Sequence, residues 1–399
     1  MAEMNNKKKD LNVPPLRFPE FKGEWDDVQL GNLLTFKNGL NCDAEKYGKG
    51  IKNISVSDVL QFSPITYSSV RGSVDATEQQ KEEFKVSFGD VLFQRSSETP
   101  EDIGRSNVYL DQQPCVFGGF VIRGKPIKGF NPLFFKYLMA TKSARHEVIK
   151  RGAGAQHYNI GQEQLALVKV RMPEDEEQCK ISSFLNVIDR RIDVQRKTIE
   201  DWKNIKSHIV NSEFSACTEP LASSIEEVSE RYKSCDENYE VFSVSNIKGF
   251  TRQAEQFEGK AIAGENKSNY KIVRSGVFAY NPARINVGSI ARYSGVRPVI
   301  VSPMYICFQA KKNYRPEYLA YFFISNSFTK QMNSLLEGSV RQCLLFDSLR
   351  QIKLPQRDAS KQKDFVEKVK MIDALICCET YFFEKLKTMK EYLLRDLFT

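Results

Sequence analysis

The sequence predicts an α+β protein: two pseudo-repeated mixed α/β domains joined by two long helices that pack as an antiparallel coiled coil. The first observation is an apolar stripe of helical period, which occurs at 173–214 and again at 355–399. The second is that the stripes are in matching register, so that Ile188-Asp189 recurs as Ile372-Asp373. The third is that the stretches before the stripes also correspond. A period this long is not that of a repeat array, and it indicates a duplicated half.

Apolar residues on each stripe recur at steps of three and four, which places them on one face of a helix. Each helix would be about 57 Å long at the standard rise, so a small domain cannot cover it. The two stripes therefore bury each other. An antiparallel arrangement would bring Gln195 and Glu379 into one polar layer that fixes the register. The predicted seam consists of Ile181, Leu185, Ile188, Ile192, Ile199, Trp202, Ile209, Phe365, Val369, Ile372, Ile376, Phe383, Leu386 and Leu393.

The chain order follows from these stripes. We expect a disordered basic arm at 1–14, a first domain at 15–172, a central helix at 173–214, a second domain at 215–354 and a C-terminal helix at 355–399. Pro173 and Pro355 suit the first turn of each long helix, where a missing N–H costs nothing. Within the domains, Asn131-Pro132 and Arg315-Pro316 begin matching short helices.

Composition excludes several classes of protein. There is no run of about 18 apolar residues, so we expect no membrane span, and the polar start of the chain is not a secretory signal. The nine cysteines form no C-x-x-C pair, and with only three histidines they give no zinc spacing. Reduced thiols and a cytoplasmic location are the plain interpretation.

Positive charge is concentrated in two places. Residues 103–171 contain eleven Lys/Arg and three Asp/Glu, and residues 240–355 contain sixteen and seven. The summed net charge of these two stretches therefore exceeds the net charge of +8 on the whole chain. Clustered positive charge in two separate domains suits a polyanion, although a generally basic surface remains an alternative.

Enzymatic motifs are weak. Asn131-Pro132-Leu133-Phe134 and Asn281-Pro282 resemble the Asn-Pro-Pro-Tyr/Phe signature of amino-group methyltransferases, but both lack the second proline and turn chemistry explains them better. No phosphate-binding glycine loop is present. The acidic residues Asp90, Glu98, Glu101 and Asp102 suggest a surface loop more than a nuclease metal site.

The loops instead mix arginine with small polar and amide residues, which suits DNA. Arginine pairs with guanine and asparagine or glutamine with adenine, while other basic residues hold phosphates. The prediction depends on the set, since any single member is more often a plain surface residue. The candidate DNA-binding residues are Arg95, Ser96, Arg105, Asn107, Arg151, Gln156, His157, Tyr158, Asn159, Ser245, Lys248, Asn281, Arg284, Asn286, Arg292, Arg341 and Gln342.

The whole pattern resembles the specificity subunit of type I restriction–modification systems. The resemblance covers nearly the entire chain and includes Pro15-Leu16-Arg17-Phe18-Pro19, Gly23-Glu24-Trp25, the two helix starts, and Val301-Ser302-Pro303-Met304-Tyr305. It implies that each globular block is a target recognition domain for one half of a bipartite, asymmetric DNA sequence. It also implies two modification (methyltransferase) subunits on the helices, and restriction subunits that translocate and cleave DNA.

By this resemblance the chain is not an enzyme, and catalysis belongs to its partners. S-adenosylmethionine, ATP and Mg would then be bound by partner subunits, and neither a cofactor nor a metal by this chain. A self-contained DNA enzyme and a coiled-coil scaffold without sequence reading are the competing hypotheses. The outward faces of the helices are candidates for partner binding, namely Arg190, Arg191, Lys197, Lys203, Lys385, Lys387 and Lys390.

Overall fold

The protein is represented by a computed structural model that describes residues 12–154, 157–233, 239–253, 267, 269–337 and 342–398. Most of the predicted basic arm, together with Gln156 and Arg341, lies outside the described residues. The chain forms two compact units. Unit 1 comprises Met1–Arg196 and Phe382–Thr399, and unit 2 comprises Lys197–Tyr381. Each unit therefore contains one globular domain and a segment of both long helices.

The described helices and strands follow in chain order. The α-helices are α1 (Val56–Val59), α2 (Glu78–Glu83), α3 (Pro132–Ala140), α4 (Lys142–Ile149), α5 (Gln162–Ala166), α6 (Asp175–Glu213), α7 (Pro316–Phe322), α8 (Asn326–Ser334), α9 (Phe346–Gln351) and α10 (Ala359–Asp396). The strands of unit 1 are β1 (Asp26–Gln29), β2 (Leu34–Asn38), β3 (Tyr47–Ile54), β4 (Ser73–Val74), β5 (Val91–Gln94), β6 (Ser96–Ser97), β7 (Ser106–Val108), β8 (Val116–Phe117), β9 (Val121–Pro126), β10 (Tyr158–Asn159) and β11 (Lys169–Met172). Those of unit 2 are β12 (Glu219–Pro220), β13 (Ile225–Glu227), β14 (Val241–Ser245), β15 (Gly249–Arg252), β16 (Lys271–Val273), β17 (Phe278–Tyr280), β18 (Ile290–Arg292), β19 (Val299–Val301), β20 (Ile306–Ala310) and β21 (Lys353–Leu354).

Unit 1 contains two main sheets. One has the strand order β2-β9-β5-β7 with antiparallel pairing throughout. The other has the order β4-β3-β8, in which β3 and β8 are parallel. A small β1-β11 pair brings the start of the domain to its end, immediately before α6. The outer β6-β10 pair belongs to the loops discussed below.

Unit 2 repeats this topology. Its first sheet, β13-β20-β17-β18, corresponds strand by strand to β2-β9-β5-β7. Its second sheet, β15-β14-β19-β16, again contains one parallel pair, between β14 and β19. The β12-β21 pair closes the domain before α10, as β1-β11 does before α6. The duplication indicated by the sequence is therefore present in the sheet order itself.

The long helices pack against each other inside each unit. In unit 2, Glu213 pairs with Arg357 and Lys206 pairs with Asp373, at 2.9 and 2.6 Å. Because the partner number rises as the α6 number falls, this packing is antiparallel. In unit 1, the start of α6 shares its core with Phe398, which follows the end of α10. The predicted fold class is confirmed.

All fourteen predicted seam residues are buried or half-buried. Ten of them pack in a core: Ile181, Leu185, Ile188, Ile192, Phe383, Leu386 and Leu393 in that of unit 1, and Ile209, Phe365 and Val369 in that of unit 2. The helices of 39 and 38 residues are therefore each covered in part within both units. The proposed polar layer of Gln195 and Glu379 stays a prediction. One detail of the helix starts was wrong, because Pro173 and Pro355 precede the first turns rather than form them.

Candidate nucleic-acid interface

One group of predicted DNA-binding residues in unit 1 lines a surface depression of about 610 Å³. Arg95, Arg151 and Asn159 all border it. The pairing of β6 with β10 builds this site, because it brings Ser96 opposite Asn159, where the Ser96 hydroxyl donates to the Asn159 side-chain oxygen at 2.6 Å. The backbone carbonyl of Arg95 accepts from the amide of Ile160, which fixes the arginine beside the same pair. His157 and Tyr158 continue the segment.

The arginines of unit 1 are partly neutralised by neighbouring carboxylates. Arg151 pairs with Glu147 at 2.6 Å, one helical turn away, and Arg105 pairs with Asp102 at 2.8 Å. The Arg105 side chain is about half exposed, and such a surface pair contributes little and exchanges readily for another anion. Arg105 therefore remains available to a phosphate or a base, whereas the Arg151 side chain is only 21% exposed.

Asn107 is different from the other candidates. Its side chain is buried, and its amide donates to the carbonyls of Gln61 and Ser63 at 3.1 and 2.9 Å. Its side-chain oxygen accepts from the amide of Val108. Because these groups are occupied inside the domain, Asn107 has a structural role and does not belong to the proposed contact surface.

In unit 2 the candidate residues meet at the tip of the β14-β15 hairpin. The Ser245 hydroxyl accepts from the backbone amides of Ile247 and Lys248, which shapes the tip and leaves Lys248 exposed. A second turn carries Arg284 and Asn286, both exposed. It lies against the hairpin, because a Cβ on Gly288 would be 3.7 Å from that of Asn246. Gly288 has φ 90°, which favours glycine at this close approach.

The remaining candidates of unit 2 lie apart or at the edge of this tip. Asn281 accepts from the amide of Ala283 and donates to the Met304 sulfur at 3.6 Å, so it borders the second turn. Arg292 instead pairs with Glu317, which belongs to α7 and also faces Lys370 of α10. Gln342 is exposed. Arg292 is thereby placed with the helix packing rather than with the loops.

The acidic residues that the sequence singled out differ in burial, since Glu98 and Glu101 are exposed and Asp102 is half-buried. Asp90 is buried rather than on a surface loop as the sequence suggested, and it accepts from the amide of Ser87. Burial raises its pKa, against the opposing effects of that hydrogen bond and of Arg123.

Asn131 caps α3, because its side-chain oxygen accepts from the amide of Phe134 at 2.9 Å. Within the described ranges, no group of His, Cys, Asp or Glu could hold a metal ion.

Each domain is joined to the long helices by a network of three side chains, and the two networks match. The sequence alone did not point to them. In unit 1, Asp189 of α6 accepts from the Tyr137 hydroxyl at 2.9 Å and pairs with Lys390 of α10 at 2.6 Å. In unit 2, Asp373 accepts from Tyr321 at 2.9 Å and pairs with Lys206 at 2.6 Å. The corresponding residues are 184 positions apart, so the duplication offset was a signal that could have found them.

In each network the aspartate and the lysine come from different long helices, and the two networks use the helices in opposite order. Asp189 lies on the central helix and takes its lysine from the C-terminal helix, whereas Asp373 lies on the C-terminal helix and takes Lys206 from the central one. Burial, followed by the effect of Asp189, raises the pKa of the Tyr137 hydroxyl, so this group stays a hydrogen-bond donor. The networks therefore tie a short domain helix to both long helices.

Lys390 corrects one prediction about the outward faces of the helices. Its side chain is only 13% exposed and belongs to the network just described, so it is not free for a partner. The other predicted partner-binding residues, Arg190, Arg191, Lys197, Lys203, Lys385 and Lys387, are exposed. Apolar side chains are exposed beside them, including Val187 on α6 and Met371 on α10.

Comparisons with known proteins agree with this arrangement. Residues 22–202 match the family model described as "Type I restriction modification DNA specificity domain". The chain is 22% identical over 421 aligned residues to a "Putative type I restriction enzyme MjaX specificity subunit" of Methanocaldococcus jannaschii, covering 98% of this chain and 96% of that one. Both comparisons confirm the resemblance to type I restriction–modification specificity subunits that the sequence suggested.

Solved structures show the same fold. A type I restriction–modification S subunit from M. genitalium aligns with TM-score 0.55 at 14% identity, covering 97% of this chain and 99% of that one. A structure described as the "complex assembly and conformational transition of the type I R-M system" aligns with TM-score 0.56 at 13% identity, covering 96% and 99%. No described helix is both long enough and apolar enough to cross a membrane.

Proposed function

We propose that this chain is a type I restriction–modification specificity subunit and that each of its domains reads one half of a bipartite, asymmetric DNA target. The observation that carries the proposal is that both domains have the same sheet topology but different polar loops at the ends of their strands. In unit 1 the loops present Arg95, Arg151 and Asn159, and in unit 2 they present Lys248 and Arg284. Equal scaffolds with unlike loops suit two different half-sites, because base contacts specify sequence while basic residues hold the backbone.

The helices then act as a spacer between the half-sites. Duplex DNA repeats about every 34 Å, so contacts on one face are about one turn apart. Adding or removing one heptad-like step within 190–206 is expected to change the gap and to leave both half-sites as they are. Sequencing of methylated sites would check this, and altered half-sites would contradict it.

The outward faces of the helices are the proposed docking surfaces for two modification subunits. Val187 and Met371 occupy equivalent positions and are each about two-thirds exposed, which is unusual for large apolar side chains unless another surface covers them. Val187→Glu and Met371→Glu should each weaken co-purification with modification subunits while leaving the stability of the chain unchanged. Glu45→Lys, an exposed change in the first domain outside both long helices, is the control. Retention of both subunits by the double variant would contradict the docking proposal.

Catalysis is proposed to belong to the partners. Modification subunits would methylate adenine with S-adenosylmethionine, and restriction subunits would use ATP and Mg for translocation and cleavage, in the cytoplasm. Incubation of the purified chain with DNA and labelled S-adenosylmethionine should give no transfer until modification subunits are added. Transfer by the chain alone would favour the self-contained enzyme instead.

The decisive experiment maps methylated adenines in a host that carries the chain with modification subunits. We expect one bipartite motif, with Arg95→Ala relaxing positions in one half and Arg284→Ala relaxing positions in the other. Lys128→Ala, an exposed lysine outside the proposed loops, should leave the motif intact. If Arg95→Ala and Arg284→Ala affect the same half-site, the division of labour between the domains is wrong. A scaffold without sequence reading would give no motif at all.

A further inference from the structure

The two domains share one turn that the predicted DNA-binding residues do not include. In unit 1 it joins β8 to β9, and the amide of Val121 donates to the carbonyl of Gly118 at 2.9 Å. In unit 2 it joins β19 to β20, and the amide of Tyr305 donates to the carbonyl of Ser302 at 3.0 Å. Each turn follows the strand that pairs in parallel within its sheet, so the turns occupy the same place in the two domains.

Each turn exposes one large apolar side chain at the same position. Phe120 is 70% exposed and Met304 is 60% exposed, although the residue that follows each of them, Val121 or Tyr305, is buried. A single exposed apolar residue needs no explanation, but the same exposure in both copies of a duplicated turn indicates a contact outside the chain.

The backbone of each turn is held rigidly. The Asn41 side chain lies directly against Gly119, and the corresponding residue in unit 2 is Pro303, which fixes its own backbone angle. The buried Tyr305 hydroxyl further anchors the second turn by accepting from the amide of Val244 at 3.2 Å. The exposed side chains therefore project from fixed positions and do not belong to loosely held loops.

Both turns lie beside the polar residues already assigned to DNA. The amide of Arg95 donates to the carbonyl of Phe120 at 2.9 Å, and the Arg95 guanidinium donates to the carbonyl of Gly119 at 3.4 Å. The Asn281 amide donates to the Met304 sulfur at 3.6 Å. An apolar side chain beside arginine and asparagine matches the base edges and faces of duplex DNA better than a protein or lipid surface.

We propose that Phe120 and Met304 are specificity-determining residues that contact bases directly, one in each half of the target. The inference rests on the proposed function and extends it to side chains without hydrogen-bonding groups. Two physical interactions are available to them. An apolar side chain can contact the thymine methyl group in the major groove, or it can enter between base pairs and kink the duplex.

The test compares Phe120→Ala and Met304→Ala in the full chain assembled with modification subunits. Binding would be measured by fluorescence anisotropy on a duplex containing the mapped motif and on a scrambled duplex. Each variant should lose roughly 5- to 150-fold in affinity for the motif, the range found when one base pair of a specific duplex site is mismatched. Affinity for the scrambled duplex should hardly change. Methylation mapping should show relaxed positions in one half-site only, and in opposite halves for the two variants.

Matched controls separate base contact from damage to the fold. Ile127 is also exposed and lies at the other end of β9, about 20 Å away along the strand. Ile127→Ala, and Ile324→Ala in unit 2, should behave as the unsubstituted chain does. Met304→Leu keeps the apolar contact and should restore the motif. Unchanged motif affinity in both alanine variants would overturn the inference while the proposed function stood, whereas absence of any motif for the unsubstituted chain would overturn the proposed function itself.

Discussion

The two halves of the molecule are alike where the long helices are held and unlike where the loops project. The Tyr137–Asp189–Lys390 network of unit 1 and its counterpart in unit 2 have the same distances, 2.9 and 2.6 Å. The loops, by contrast, are a β6-β10 pair in one unit and a hairpin tip in the other. After duplication, residues that satisfy buried partners were retained, while exposed loops carried no such constraint and diverged.

The ends of the two long helices are also alike, because each is followed by a buried phenylalanine. Phe214 follows α6 and packs on Tyr318, Phe322 and Phe365, with ring centroids 5.1–5.5 Å apart. Phe398 follows α10 and packs on Phe134 and Trp25, at 5.3 and 6.0 Å. After each long helix, a phenylalanine therefore packs against a short helix of a domain, α7 for Phe214 and α3 for Phe398. Phe214 packs on more aromatic rings than Phe398 does, so measuring the loss of each side chain tests whether the two helix ends contribute equally to stability.

The largest expected effect is that of removing these rings. Phe214→Ala and Phe398→Ala should each destabilise the chain by about 3–5 kcal/mol, because both side chains are buried and a cavity would remain. Urea denaturation followed by circular dichroism measures the loss. A near-neutral Phe398→Ala would show that the end of α10 contributes far less than the end of α6, and the proposed equivalence of the two halves would fail.

The next effect concerns the aspartates of the two networks. Asp189→Ala leaves a largely buried Lys390 without its partner and should cost about 3 kcal/mol. Asp373 is 39% exposed, so solvent replaces its pairing and Asp373→Ala should cost about 1 kcal/mol or less. The comparison of the two unfolding free energies checks the effect of burial at constant geometry. Equal losses would show that the hydrogen bond to tyrosine, rather than the ion pair, dominates both networks.

A smaller effect is expected at the helix starts. Gln178 accepts from the amide of Asn131 and donates to the carbonyl of Pro173, at 3.0 and 2.9 Å. Gln362 makes the same two contacts with Arg315 and Arg357, at 2.8 and 2.9 Å. Replacing either glutamine by alanine removes both hydrogen bonds and should cost about 0.5–1.5 kcal/mol, with the larger loss in unit 1, where Pro173 is buried, and the smaller in unit 2, where Arg315 is exposed. Hydrogen exchange at the amides of residues 131 and 315 should accelerate only in the unit that carries the change.

The smallest effect is a pH dependence present in unit 1 alone. Lys136 has no counterpart in unit 2, where Ala320 occupies the corresponding position. Burial and then the neighbouring Lys390 lower the pKa of Lys136 to about 8, against the opposing effect of Asp189. Between about pH 8 and 10 the unfolded chain would bind more protons at this lysine than the folded chain, so this residue makes stability rise with pH.

Lys136→Met should abolish that part of the pH dependence. The Lys136 ammonium donates to the carbonyl of Phe62 at 2.8 Å, so the variant also loses one hydrogen bond at every pH. The informative quantity is therefore the slope of the unfolding free energy between pH 8 and 10, compared with that of the unsubstituted chain. Identical slopes would mean that Lys136 remains charged in the folded state over this range.

Much of the architecture was readable from the sequence because it depends on periodic burial. The stripe through Ile181 and Leu185, and its repeat through Phe365 and Val369, required a helix with one covered face, and these residues are buried as predicted. The functional residues were harder to predict. Arg95 and Asn159 are polar loop residues like many others, and only strand pairing brings their segments to one depression.

The sequence alone determined that the chain is a duplicated half, that it contains two long amphipathic helices and that positive charge lies in both domains. Tertiary structure decided which charges are used internally. Lys390 resembles any exposed helix lysine in sequence, yet it is buried against Asp189, and Asn107 resembles a base reader, yet its amide is consumed by backbone carbonyls. The physical reason is that periodicity is a local property, whereas the partner of a buried polar group is supplied by a distant segment.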